Sequence, residues 1–178
     1  MSNTDPAAPL AYLSGAIEYA PDHGRGWRLE ITRWLETRGH RVYDPALDER
    51  KNLSDQELQG FRGWKTRDLP RFQTTLRKII AWDLDWIEHH SDYLIVYWDD
   101  AARQGAGTQA EITFAHRLGL PVLLVLGMPL AAASGWVLGC ASEVCDNWQA
   151  LQAAVPRYFP AGWARRAGKA TVMAAGRD

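Results

Sequence analysis

The feature that most restricts the fold of this chain is a pair of short, almost entirely apolar runs at 93–98 and 121–126. Between them lie a glycine-rich turn that begins at Gly105 and a helix-like segment at 108–118, which ends at Gly119. Continuous apolar runs of this length are typical of strands that are buried on both faces of a parallel sheet. The order of strand, turn, helix and strand therefore predicts an α/β fold.

The rest of the sequence repeats this alternation. Short apolar runs predict further strands at 10–14, 40–43 and 141–145. Helical spacing of apolar residues predicts helices at 27–38, 72–89 and 148–158. Residues 127–139 are rich in small side chains and are predicted as irregular loop or a short helix. Alternating strands and helices favour a doubly wound sheet of about five mainly parallel strands, with helices on both faces.

Composition restricts the organisation and the partners of the chain. With 178 residues, of which 47% are hydrophobic, we expect a single domain at 10–160, a flexible leader at 1–9 and a mobile tail at 161–178. The net charge of −1 gives no sign of a nucleic-acid polymer or a membrane as partner. Cys140 and Cys145 match neither a metal spacing nor a redox motif, so we interpret them as reduced thiols of a cytoplasmic protein.

One segment interrupts the alternation. Residues 47–71 are polar and charged, contain glycine and proline breakers, and predict only one short helix at 55–61. Long insertions of this kind are often functional lids, and a plain solvated connection fits the pattern equally well.

Candidate functional residues collect where the strands end, because ligands of doubly wound sheets bind at the carboxyl ends of the strands. The turn from Gly105 to Glu111 is neither a dinucleotide fingerprint nor a phosphate-binding P-loop, and it offers a carboxylate instead of a lysine. Paired carboxylates suit cleavage of a glycosidic bond, with one as nucleophile and another as acid. In the first turn of a helix, Glu111 would be kept ionised by the helix dipole and would act as nucleophile or simply as a cap.

Several segments, in this order and spacing, resemble the nucleoside 2-deoxyribosyltransferase family, which includes the deoxynucleoside 5′-monophosphate N-hydrolases. The segments are Tyr12-Leu-Ser-Gly-Ala-Ile17, Asp83-Leu-Asp-Trp-Ile87, Ser91-Asp-Tyr-Leu-Ile-Val96, Gly105-Ala-Gly-Thr-Gln-Ala-Glu-Ile112 and Gly119-Leu-Pro-Val-Leu-Leu-Val125. The resemblance implies a flavodoxin-like, Rossmann-like sheet and cleavage of an N-glycosidic bond without a metal or cofactor.

The resemblance also implies residue roles. Glu111 corresponds to the glutamate nucleophile, Asp83 to the aspartate that handles base protonation, and Tyr12 to the tyrosine beside the nucleophile. Substrate contacts are expected at the ends of two strands and in the following turn, namely at Ser14, Gly15, Ala16, Ile17, Trp98, Asp99, Gly105 and Gly107. Stacking of the base on Trp98, Trp64 or Phe61 is a further hypothesis.

Two positions depart from the family pattern. Gly105 stands where transferases of the family keep an aspartate and the monophosphate hydrolases a serine, although Asp99 or Asp100 could supply a carboxylate from the same loop. Glu18 stands where those hydrolases have an arginine, and its charge would repel a phosphate. This favours an unphosphorylated nucleoside, an inference that an inward fold of the following basic residues would reverse, namely His23, Arg25 and Arg28.

The sequence therefore predicts an enzyme that cleaves the N-glycosidic bond of a (deoxy)nucleoside and transfers the sugar to another, free nucleobase or to water. The alternatives are a (deoxy)nucleoside 5′-monophosphate N-glycosidase and a non-catalytic nucleotide-sensing module on the same fold. The resemblance implies a homodimer or higher homo-oligomer, because the family completes its pocket with a loop of a neighbouring subunit.

Overall fold

The computed structural model describes residues 7–48 and 50–163, which form one five-stranded, fully parallel sheet in the order β2-β1-β3-β4-β5. The strands are β1 (Leu10–Gly15), β2 (Arg41–Tyr43), β3 (Tyr93–Trp98), β4 (Val122–Leu126) and β5 (Glu143–Cys145). The strand order reverses between β1 and β3, and this switch point is where doubly wound sheets bind ligands. The predicted fold class is confirmed.

Seven α-helices connect the strands in the described part of the chain. They are α1 (Arg25–Glu36), α2 (Asp55–Arg67), α3 (Leu69–Asp85), α4 (Asp100–Gln104), α5 (Ala106–Arg117), α6 (Gly135–Cys140) and α7 (Trp148–Tyr158). A π-helical turn (Trp86–His90) continues α3, and a 3-10 turn (Leu130–Ala132) precedes α6. None of the helices in the described ranges is both long and apolar enough to span a membrane.

The sheet divides two apolar cores, because successive strand residues point to opposite faces. Tyr12 of β1 packs with Val96 of β3 and Ile112 of α5 on one face. Leu13 and Ile95 pack on the other face, with side chains of α1 and α7. The continuous apolar sequence of β3 and β4 follows from this burial on both faces.

The helices differ from the prediction in the region of the insertion. The expected short helix at 55–61 runs on to Arg67, and the next helix begins at Leu69 instead of residue 72. Ser54 and Glu57 form a reciprocal capping box that starts α2, and Asp68 caps α3. Glycines within α2 were interpreted as breakers, but a helix interior tolerates glycine at a cost of about 1 kcal/mol each.

Two parts of the predicted organisation lie largely outside the described residues. These are the leader at 1–9, of which 7–9 are described, and the tail at 161–178, of which 161–163 are described. The division of the chain into leader, domain and tail remains a prediction.

Candidate active site

Glu111 lies at the carboxyl edge of the sheet and is held by two residues of β1. The Tyr12 hydroxyl donates a hydrogen bond of 2.8 Å to Glu111 Oε1, and Ser14 Oγ donates one of 2.5 Å to Oε2. Tyr12 and Ser14 are fully buried, whereas Glu111 remains partly exposed. Alternate residues of a strand share one face, so positions 12 and 14 of β1 together fix both carboxylate oxygens. Ser14, predicted to contact the substrate, thus positions Glu111.

The ionisation of Glu111 differs from the expectation. Because α5 begins at Ala106, Glu111 lies in its second turn, beyond the reach of the positive helix end. Burial and the charge of Asp83 raise the pKa of Glu111 to about 7, although hydrogen bonds from Ser14 and Tyr12 lower it. The prediction that the helix dipole keeps this carboxylate ionised at neutral pH was wrong.

Asp83 is the second acid of the site, and it is paired with a lysine that the sequence analysis did not identify. Both carboxylate oxygens of Asp83 lie 2.8 Å from Lys51 Nζ. The side chains are nearly buried, with 10% of Lys51 and 14% of Asp83 exposed. Burial raises the pKa of Asp83, while Lys51 opposes the shift. The neighbouring Asp85, two residues on, is 44% exposed and lies beside His89 instead.

The loop that carries Lys51 is anchored by Asp48. Asp48 Oδ2 accepts hydrogen bonds from the Tyr43 hydroxyl at 2.8 Å and from Trp82 Nε1 at 2.7 Å. Trp82 directly precedes Asp83, so Asp48 ties the Lys51 loop to the same turn of α3 that carries the acid. Lone basic and acidic residues in a polar loop gave no sequence signal for this arrangement.

Arg28 stabilises the turn after β1 through hydrogen bonds to its backbone. Its side chain is fully buried and donates to the carbonyl oxygens of Gly15 at 2.8 Å, Ala16 at 3.2 Å and Gly24 at 3.0 Å. Its Nε also lies 3.3 Å from Asp44 Oδ1. Arg28 therefore holds the turn by its backbone, and this use removes it from the basic residues that could bind a phosphate.

The other predicted substrate contacts fall into two groups. Ala16, Ile17, Gly105 and Gly107 are partly or fully exposed at this edge, and a Cβ at Gly107 would meet nothing within 4 Å. Asp99 instead accepts a hydrogen bond of 2.8 Å from the backbone of Ala102 as the cap of α4.

Asp100 is the second aspartate that could supply a carboxylate from this loop. It is exposed and pairs with Arg103 at 3.1 Å on the surface of α4. Both aspartates thus have partners within α4, and their replacement of the family's acid stays a prediction.

The residues expected to stack on the base differ in how exposed they are. Trp98 is 1% exposed and lies in the core beneath α5, because residue 98 points to the same face as Tyr12. The hypothesis that Trp98 stacks on a base is wrong for this reason. Trp64 and Phe61 are partly exposed on α2, where Arg71 covers Trp64 at 3.7 Å from the ring centroid.

Helix α2 is linked to the turn after β1 across the surface. Lys65 Nζ lies 3.1 Å from Glu18 Oε1, with both side chains about half exposed. An exposed pair of this kind contributes little to stability, about 0–1 kcal/mol. It does bring the predicted insertion close to the edge of the sheet that carries Glu111. Among the described residues, no group of three or more His, Cys, Asp or Glu side chains is arranged to hold a metal ion.

Comparisons with known proteins support the fold. No model of a protein family matches the sequence, and no curated protein matches it. Among solved structures, the chain is similar to a 2-deoxyribosyltransferase from Bacillus psychrosaccharolyticus, described as a biocatalyst for the synthesis of antiviral and antitumoral nucleosides. The TM-score is 0.52 at 18% identity, covering 80% of this chain and 90% of that chain.

Proposed function

We propose that this protein is an enzyme that cleaves the N-glycosidic bond of a (deoxy)nucleoside, with Glu111 as nucleophile, and transfers the sugar to another base or to water. The observation that carries the proposal is the fixed orientation of Glu111, whose two oxygens are held by Tyr12 and Ser14 at the carboxyl edge of β1. A nucleophile held in one geometry loses little freedom in the reaction. The similarity to a 2-deoxyribosyltransferase supports the same class of substrate.

The proposed reaction uses two carboxylates in different roles. Ionised Glu111 attacks the anomeric carbon while the bond to the base breaks, and the base leaves on the side of Asp83. A second base or water then attacks the glycosyl-enzyme and frees Glu111. Burial raises the pKa values of both acids, and Lys51 opposes this shift at Asp83.

The structure favours an unphosphorylated substrate over a nucleoside monophosphate. Arg28, which could have reversed the sequence-based inference, is fully buried and bonded to backbone carbonyls. Glu18 adds a negative charge to the same turn, and its surface partner Lys65 is half exposed. The basic side chains of this turn that a 5′-phosphate could still contact are the exposed His23 and Arg25.

Base exchange tests the proposal. The wild-type protein is incubated with a deoxynucleoside and a different free base, and the new nucleoside and the released base are separated by chromatography. We expect turnover by the wild type and a loss of at least about 100-fold in Glu111→Gln, which keeps the shape but removes the nucleophile. The matched control is Glu36→Gln at the exposed end of α1.

Two results would contradict this function. Full activity of Glu111→Gln would exclude the nucleophile, and binding of a nucleotide by a wild type without turnover would favour the nucleotide-sensing module. Glycine at position 105 is the feature that keeps this second hypothesis open.

A further inference from the structure

Lys51 is a buried charge that the reaction outlined above leaves without a role. Only 8% of the residue is exposed, and its Nζ contacts both oxygens of Asp83 at 2.8 Å. Removing an ammonium and a carboxylate from water costs several kcal/mol each, so a buried pair is weak as a means of stabilising a fold. A buried pair next to a nucleophile therefore calls for a chemical explanation.

The backbone at Lys51 has an unusual conformation, and the side chain that it carries contacts Asp83. Lys51 and Asn52 have φ angles of 36° and 60°, a region that residues other than glycine rarely adopt. Such conformations persist where the surroundings enforce them, often at functional sites. Here Asp48 enforces the conformation, because it fixes the loop to Tyr43 and to Trp82 of α3.

The electrostatic neighbourhood links this pair to the nucleophile. Asp83 contacts Lys51, and the negative charge of Asp48 raises the pKa of Asp83. In turn, the charge of Asp83 acts on Glu111 and on Tyr12, and the charge of Lys51 acts on Glu111. Glu111, Asp83 and Lys51 thus form one interacting group of charges, drawn from α5, α3 and the loop after β2.

The contacts of Asp83 restrict where a proton can come from. A carboxylate whose two oxygens both accept from an ammonium group carries no proton of its own to donate. The departing base nevertheless needs one, since a base anion is a poor leaving group. We propose that Lys51 is a positioning residue that supplies, through Asp83, the proton taken up by the departing base; this inference rests on the proposed function.

The bond between C1′ and the base nitrogen breaks, its electron pair stays on the base, and Glu111 bonds to C1′. Asp83 gives a proton to the base and takes one from the Lys51 ammonium, which becomes a neutral amine. The incoming base, or water, attacks C1′ as the bond between C1′ and Glu111 breaks, and Glu111 leaves as a carboxylate with the electron pair. The attacking group loses a proton, which returns through Asp83 to Lys51.

A substrate that needs no proton separates this role from a structural one. The base of 7-methyl-2′-deoxyguanosine carries a positive charge and leaves as a neutral molecule, whereas that of 2′-deoxyguanosine must be protonated. We measure kcat/KM for both substrates with the wild type and with Lys51→Met. General acid catalysis contributes typically 10²–10⁴-fold, so we expect a loss of at least about 100-fold on 2′-deoxyguanosine and of less than about 5-fold on the methylated substrate.

Two further variants sharpen the test. Lys51→Arg keeps the charge beside Asp83, but a guanidinium does not release its proton, so we expect it to behave like Lys51→Met. The matched control is Lys78→Met, because Lys78 forms a similar pair with Glu57 at 2.7 Å on the outer surface of α2 and α3. We expect wild-type rates on both substrates from this control.

The outcomes distinguish the inference from the function on which it rests. Equal losses on both substrates in Lys51→Met, or rescue by Lys51→Arg, would overturn the inference and leave the proposed function standing. A wild type that cleaves neither substrate would overturn both. If Lys51→Met does not fold, Lys51→Arg, which keeps a positive charge beside Asp83, carries the test with the same expected selectivity.

Discussion

At the level of single residues, the site is organised around opposing effects on one carboxylate. Burial and the negative charge of Asp83 favour protonated Glu111, whereas the hydroxyl groups of Tyr12 and Ser14 favour the ionised form. The resulting pKa of about 7 leaves Glu111 able to ionise near neutral pH. The same environment must destabilise the folded protein whenever Glu111 is ionised, because the pKa in an unfolded chain is lower.

This cost predicts a pH-dependent gain in stability for Glu111→Gln. Below pH 4 both the folded and the unfolded wild type carry a neutral Glu111, so the wild type has its full stability there. As the pH rises through about 7, the folded state must give up a proton that it binds more tightly than the unfolded state. Glutamine avoids this loss, and the variant should gain roughly 3 kcal/mol on the wild type between pH 4 and pH 8.

Urea unfolding of both proteins across this pH range measures the difference in the free energy of unfolding. Glu36→Gln, at the exposed end of α1, is the matched control. A stability gap for Glu111→Gln that does not widen with pH would show that Glu111 has an ordinary pKa.

At the level of secondary structure, the strands and most helices could be predicted because each has a local cause. The apolar runs of β3 and β4 exist because both faces of these strands are buried. The helices at the insertion were underestimated, since α2 has no fully buried residue and depends on its Ser54 cap instead of an apolar face.

Two signals in the sequence pointed to the site. The glycine-rich turn after an apolar run marked Glu111, and the resemblance to a known family marked Tyr12 and Asp83. Lys51 and Arg28 owe their roles to burial and to contacts across the fold, and nothing in a polar loop or a helix face distinguishes them from solvated residues.

The end of β1 is the element whose packing positions the nucleophile, and this predicts the effect of Gly15→Ala. A Cβ at residue 15 would lie 2.8 Å from Trp27 Cζ2 and 3.3 Å from the Tyr97 carbonyl oxygen. The strand must shift to relieve this contact, at a cost of about 1–3 kcal/mol. Because Ser14 moves with the strand, kcat should fall as well.

Thermal unfolding and base exchange measure these two effects of Gly15→Ala. In Gly63→Ala, by comparison, the new methyl group meets nothing within 4 Å on α2, and the variant should gain about 0.5–1 kcal/mol with unchanged kcat. A Gly15→Ala protein as stable and active as the wild type would show that this packing is not needed.

In the molecule as a whole, the candidate active site and some of the contacts that stabilise the fold lie at opposite edges of the parallel sheet. All five strands point the same way, so Glu111 and its partners lie at the carboxyl edge. At the opposite edge, where β3 begins, the Tyr93 hydroxyl and His40 Nδ1 share a buried hydrogen bond of 2.7 Å. Burial lowers the pKa of His40 and so favours its neutral form in the folded protein.

This separation predicts that Tyr93→Phe lowers stability and leaves catalysis unchanged. Without the hydroxyl, a buried ring nitrogen of His40 loses its partner, at a cost of about 1–3 kcal/mol in the free energy of unfolding. Tyr93 packs on the face of the sheet opposite to Tyr12, so kcat and KM of base exchange should match the wild type. Tyr158→Phe, which removes an exposed hydroxyl, should change neither quantity measurably. A fall in kcat for Tyr93→Phe would show that the two edges are coupled through β1 and β3.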